Sequence, residues 1–192
     1  MFSLNKSKNQ TMELIKNLKE VSLVKNLFLA ILGTILLAIS AKIKIPFWPV
    51  PMTMQTFVVL LLGILYGWKL GLFTVSLYLF EGAMGLPVFA GTPEKGIGLV
   101  YFTGPTMGYL IGFIFAVFFT GFFKFNDNII ENFLKLLFSV SFIYFFGLIW
   151  LGYLIGWDKP IFDLGAKPFL LAELFKVLIL AILTPKIFKI KN

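Results

Sequence analysis

The sequence predicts an all-α integral membrane protein, a bundle of six transmembrane helices, and three observations predict it. The 192-residue chain is 59% hydrophobic and only 14% charged, too apolar for an ordinary soluble domain of this length. Its apolar residues gather into six runs separated by Lys, Gly and Pro. The basic residues are all Lys, and apart from Lys176 they stand at or beyond the ends of those runs. There they mark membrane edges. They do not form the basic stripe with stacking aromatics that a nucleic-acid surface requires.

Taken in order, residues 1–22 form an N-terminal arm and residues 23–192 a single membrane domain. The arm lacks a leading apolar stretch closed by a small-residue cleavage site, and is expected to stay on the cytoplasmic side. A helix needs about 20 residues to cross about 30 Å of hydrocarbon. The runs that approach this length fall near 23–41, 54–68, 69–84, 104–124, 134–157 and 168–185. Only Gly67, Trp68 and Lys69 separate the second from the third. Pro46, Pro49 and Pro51 hold the first connection extended, and "GLPVFAGTPEKGIGLVYFTGP" makes a long third connection whose Gly and Pro favour turns.

Lysine placement orients the bundle. With the N-terminus inside, the inner segments carry eleven lysines and the outer ones five, namely Lys42, Lys44, Lys95, Lys159 and Lys167. Both termini are therefore expected in the cytoplasm, and the longer Pro/Gly-rich connections fall outside, where they can fold over a pocket. Small residues recur at every fourth position on two helices, as Ala30, Thr34 and Ala38 on the first and as Gly104, Gly108, Gly112, Ala116 and Thr120 on the fourth. Such faces let helix backbones approach closely in lipid, within the chain or against a partner.

Several chemistries are excluded. With no Cys and no His the chain has no disulfide, thiol nucleophile, imidazole base or ordinary zinc site. "GTPEKGIG" spaces two glycines as a phosphate loop does, but Ile97 stands where that motif needs Lys. Asp127, Asp158 and Asp163 all lie in connections, which leaves no intramembrane aspartate pair for proteolysis. No enzyme is expected, and no metal or cofactor.

What remains is a set of polar residues in or beside the membrane: Gln55, Glu81, Glu173 and Lys176. A charge at the bilayer centre costs roughly 2.5–3.5 kcal/mol on insertion scales, so such groups face a protein interior or a cavity. Glu173 and Lys176 are three residues apart and share a helix face. They either pair to fix packing or mark a ligand pathway. Gln55, next to three prolines, either caps a helix start or joins them, and Glu81 sits near the outer end of its helix.

"PVPMTMQTFVVLLLGILYGWKLG" (49–71), "LYLFEGAMGLPVFAG" (77–91), "GPTMGYLIGF" (104–113) and "KPFLLAELFK" (167–176) together resemble the biotin-specific substrate-binding subunit, or S component, of energy-coupling-factor transporters. The resemblance covers about residues 26–185. It implies a six-helix membrane domain that takes biotin from the outer side of a prokaryotic cytoplasmic membrane. Energy then comes from a transmembrane coupling subunit and two ATPase subunits. The family's last-helix Asp and Lys, which belong to the biotin pocket, fall on Glu173 and Lys176, so this chain departs from the pattern by one methylene at Glu173. The loop after "PVFAG" also contributes to the family's pocket, which brings in Phe89, Gly91 and Lys95. Phe89, Tyr109 and Trp150 are expected to enclose the ring system of the ligand, as aromatics do in small-ligand pockets. In this family a small-residue stripe on the first helix makes the coupling contact, which points to Ala30, Thr34 and Ala38. An S component for another small vitamin, or a membrane scaffold in which Glu173 and Lys176 only pair, are the alternatives.

Overall fold

A computed structural model describes the backbone of residues 2–191 and the side chains of residues 22–187. Helix α1 (Phe2–Lys42) runs without a break from the expected arm into the first apolar segment, whose part Ser22–Lys42 has a mean hydropathy of 2.1. The arm is thus a continuation of the first membrane helix; the side chains of residues 2–21 lie outside the described set. Two short antiparallel strands follow, β1 (Lys44–Ile45) and β2 (Met52–Thr53), with Lys44 opposite Thr53 and Ile45 opposite Met52. The prolines between them deny the connection further ladder bonds.

Helix α2 (Gln55–Ala83) contains the second and third apolar runs and doubles back at Gly67, whose φ of 70° and ψ of 177° are open only to glycine. The antiparallel return is visible in its contacts. Gln55 Nε2 donates to Tyr78 Oη at 2.8 Å, and a Cβ at Gly71 would lie 3.8 Å from the Leu62 carbonyl. Residues 84–106 then form the long connection, with a 3-10 turn at Gly98–Thr103.

Helices α3 (Met107–Phe122) and α4 (Ile129–Ile155) form the next antiparallel pair. Helix α4 begins five residues earlier than its apolar run predicts, because Asn128 Oδ1 accepts from the backbone N–H groups of Ile130 and Glu131 and so caps a polar first turn. A short helix α5 (Ile161–Gly165) and a 3-10 turn (Lys167–Phe169) lead into α6 (Leu170–Lys191). With the two arms of α2 counted separately, six apolar helical segments pack together, as the six runs predict.

Lipid supplies no hydrophobic drive between helices, so close backbone approach does the work. On α3, a Cβ at Gly108 would meet the Phe146 carbonyl at 2.3 Å, and one at Gly112 would meet Ile143 Cα at 2.5 Å. The α3 stripe is thus the seam with α4. At the end of α3, a Cβ at Gly121 would lie 2.3 Å from the Trp68 backbone nitrogen, which locks the α2 turn against it.

The first-helix stripe needs correction. Ala30 and Thr34 are 0% and 2% exposed, and Ala38 packs against the core. Thr34 Oγ1 donates to Glu81 Oε1 of α2 at 3.0 Å, and a Cβ at the adjoining Gly33 would meet Thr74 of α2 at 2.5 Å. These residues form an internal seam between α1 and α2, so they are not available to a partner subunit.

Candidate functional site

A cavity with about 530 Å³ of empty space opens at the end of the bundle that carries the strands and the long connection. That space includes the open mouth, and its mostly apolar lining with a few placed polar groups is of the kind found in small-ligand sites. The start of α2, the start of α3, the later half of α4 and the start of α6 converge on it. Apolar groups including Val50, Leu110, Phe113, Ile143 and Phe169 supply most of the lining.

Glu173 and Lys176 stand on the α6 wall, 4% and 8% exposed. Their partners divide the roles between them. Lys176 Nζ donates to Thr53 O at 2.7 Å, to Thr56 Oγ1 at 3.0 Å and to Glu173 Oε2 at 3.3 Å. An ammonium has three protons, and all three are used within the chain. Glu173 Oε2 also accepts from Thr56 Oγ1 and from Tyr144 Oη, both at 3.0 Å. The other carboxylate oxygen, Oε1, is buried with no hydrogen-bond partner among the described residues. A buried charged acceptor without a donor is costly, and here it belongs to a residue that borders a cavity. The pair therefore holds its own frame through Lys176 and Oε2 and leaves Oε1 unpaired among the described residues. Lys176 is thus engaged with Glu173 and with the start of α2.

Gln55 also lines the cavity. It does not cap α2, whose N-cap is Met54 with no side-chain cap bond. Its Nε2 donates to Tyr78 Oη, which donates onward to the Val88 carbonyl at 3.0 Å. This relay ties the cavity floor to the long connection. Tyr109 borders the cavity with its hydroxyl donated to Gly165 O at 2.8 Å, and its ring occupies space that only a glycine at 147 leaves open.

The remaining expected residues lie further out. Phe89 does not line the cavity. It stacks on Tyr101 at 4.7 Å between ring centroids, edge-on to Tyr78, and fills the notch left by Gly82, where a Cβ would lie 2.1 Å from its ring. Gly91, at a φ of 79°, turns the chain under the Lys95 side chain, whose Cδ would lie 2.9 Å from a Cβ there. Lys95 is an exposed group of the loop; partial burial, and then the Lys44 ammonium, hold its pKa below the ordinary lysine value. Trp150 is not at the cavity: its Nε1 donates to Gly104 O at 2.8 Å and holds the approach to α3. The structure adds Thr53, Thr56, Tyr101 and Tyr144, none of them expected. Thr56 lies one residue from Gln55 and three from Thr53, and that hydroxyl cluster was a readable signal. Tyr144, one aromatic among many on α4, gave none. Among the described residues no group of three or more acidic side chains could hold a metal.

A bundle of six apolar helical segments, four of its helices walling a mostly apolar cavity that Glu173 borders, has the form of a membrane-embedded small-ligand binding domain. A model of the BioY family matches residues 8–192, and the chain belongs to that family. It is 38% identical to the probable biotin transporter BioY of Pyrococcus horikoshii over 82% of this chain and 89% of that one. It is 34% identical to the biotin transporter BioY of Thermotoga maritima over 88% and 98%. Among solved structures, the crystal structure of the S-component for biotin from an ECF-type ABC transporter matches with a TM-score of 0.73 and 27% identity, over 88% of this chain and 93% of that one.

Proposed function

We propose that this chain takes up biotin, binding it in the α2–α3–α4–α6 cavity from the outer side and delivering it across the membrane with an ATP-driven energy-coupling module. The observation that carries the assignment to this site is the bare Glu173 Oε1 beside a small-ligand cavity. Biotin carries two ureido N–H donors, a ureido carbonyl, an apolar thiolane and chain, and a carboxylate tail. A carboxylate oxygen without a donor suits a ureido N–H, and charge-assisted bonds of this kind are about twice as strong as neutral ones. The apolar lining suits the thiolane. The protein is a multi-pass membrane protein of a transporter family. Its partners in this reading are a transmembrane coupling subunit and two ATPase subunits, and the coupling subunit docks on a surface other than the buried Ala30–Thr34 seam.

Radiolabelled biotin added to the purified protein in detergent is expected to bind saturably and to be displaced by unlabelled biotin. Absence of saturable binding overturns the reading. Tyr144→Phe removes one of three donors to Glu173 Oε2. A hydrogen bond to a charged group is worth about 1.5–3 kcal/mol, so biotin affinity should fall by about tenfold or more, since about 1.4 kcal/mol is one decade. An unchanged dissociation constant in that variant would show that the tyrosine does not support the carboxylate.

Orientation is tested separately. In this chain without cysteine, Lys95→Cys should react with an impermeant thiol reagent applied to whole cells, and Lys124→Cys should react only after the cells are opened. The reverse pattern places the cavity on the cytoplasmic side.

A further inference from the structure

Lys42, the last residue of α1, reaches out of its helix to a single short segment of the long connection. Its Nζ lies 2.8 Å from Pro87 O, 3.0 Å from Phe89 O, 3.3 Å from Thr92 O and 3.0 Å from Thr92 Oγ1. Phe89 O also accepts from Thr92 Oγ1 at 2.7 Å within the segment, but Pro87 O and Thr92 O need an outside donor. Pro87 and Pro93 have no N–H and Gly91 has a φ of 79°, so residues 87–92 cannot continue a helix that would satisfy their own carbonyls. Ala90, inside this segment, borders the cavity together with Tyr101, which donates to the Ala90 carbonyl at 2.8 Å. An ammonium offers up to three charge-assisted bonds at one point, and here they converge on the strip of backbone that holds Ala90 at the cavity wall. No described side chain of α1 lines the cavity, so Lys42 connects the first helix to that wall from behind.

We propose that Lys42 is a positioning residue for ligand retention: it holds residues 87–92 in place as a wall of the cavity, and without it the wall loosens and the ligand escapes faster. The retention arm rests on the biotin reading above, whereas the wall can be examined with no ligand present. In Lys42→Met, which keeps most of the apolar stem and loses the donors, release of radiolabelled biotin should accelerate at least tenfold. In Lys42→Arg, which keeps donors at that place, it should stay within threefold of the parent. The second readout is Ala90→Cys in this cysteine-free chain. Ala90 is 3% exposed, so a thiol there should label slowly in the parent and at least tenfold faster when combined with Lys42→Met, measured without biotin.

Thermal midpoints of the Lys42 variants should stay close to the parent's, because the contact holds one loop and not the bundle. If Lys42→Met does not purify, Lys42→Gln, whose shorter side chain falls short of the carbonyls, takes its place. Release within twofold of the parent overturns the proposal, even if labelling rises. Accelerated release with unchanged labelling overturns it too, because Lys42 would then act by another route. If the parent chain binds no biotin at all, the function fails first and the labelling arm alone decides whether Lys42 holds the wall.

Discussion

Glu173→Ala and Lys176→Ala are each expected to weaken biotin binding by well over tenfold, while both proteins still insert and purify. The two changes act differently. Glu173→Ala removes the carboxylate oxygen that has no partner among the described residues, and leaves the Lys176 ammonium with Thr53 O and Thr56 Oγ1 but no counter-charge. Lys176→Ala leaves a carboxylate that is 4% exposed with two hydroxyl donors and no cation. Breaking a buried pair by deleting one partner costs about 3–5 kcal/mol, which is about two to three and a half decades at about 1.4 kcal/mol each. Glu173→Asp, which restores the residue the resemblance leads one to expect, keeps the charge and withdraws the oxygen by one methylene. It should fall between the parent and Glu173→Ala, because errors near 1 Å matter at a preorganised site. Equilibrium binding with radiolabelled biotin measures all three. Parent-like affinity in both Ala variants would remove Glu173 and Lys176 from the site.

Gly112→Leu should abolish recovery of a monodisperse protein, and with it any measurable biotin binding in membranes. A Cβ at 112 would lie 2.5 Å from Ile143 Cα and 2.8 Å from the Phe142 carbonyl, where ordinary contact begins at 3.4 Å. These are backbone atoms of the facing helix, so no side chain can rotate away. The loss therefore exceeds the about 1–3 kcal/mol typical of side-chain overpacking. The seam also positions Tyr109 and Ile143 at the cavity, so a wedge here reaches the ligand directly. Ser141→Leu, the same side chain introduced at an exposed position of α4, should purify normally. Size-exclusion profiles of the two variants decide the matter; a normal profile for Gly112→Leu would mean that α3 and α4 do not pack as described.

The six segments and the Gly67 return were legible because a bilayer demands long apolar runs, and a glycine before Trp68-Lys69 is the natural place to reverse one. Glu173 and Lys176 were legible for the complementary reason: charges inside such a run need a protein environment. Spacing alone could not say which neighbour a face meets. Ala30, Thr34 and Ala38 share a face by periodicity, but only the three-dimensional arrangement shows that α2 covers it. Aromatics were the other blind spot. Trp150, Phe89 and Tyr144 look alike in a chain with 24 phenylalanines, and what separates them is a single polar atom: the Trp150 N–H goes to a loop carbonyl and the Tyr144 hydroxyl to the carboxylate. The strands, two residues each, are too short to leave a pattern.

The fit of Phe89 into the notch at Gly82 has a consequence for how such a chain can change over generations. With 2.1 Å between a would-be Cβ at 82 and the ring at 89, the two positions are one inherited choice. A lineage that gains even Ala at 82 has to give up the aromatic at 89, and with it the stack on Tyr101. A lineage that shortens residue 89 first leaves a void, which costs stability as any emptied core site does, and which a larger residue at 82 can then refill. The permitted order of substitutions is therefore small residue at 89 first and larger residue at 82 second, so among descendants of a common ancestor the two sites should drift together and in that sequence.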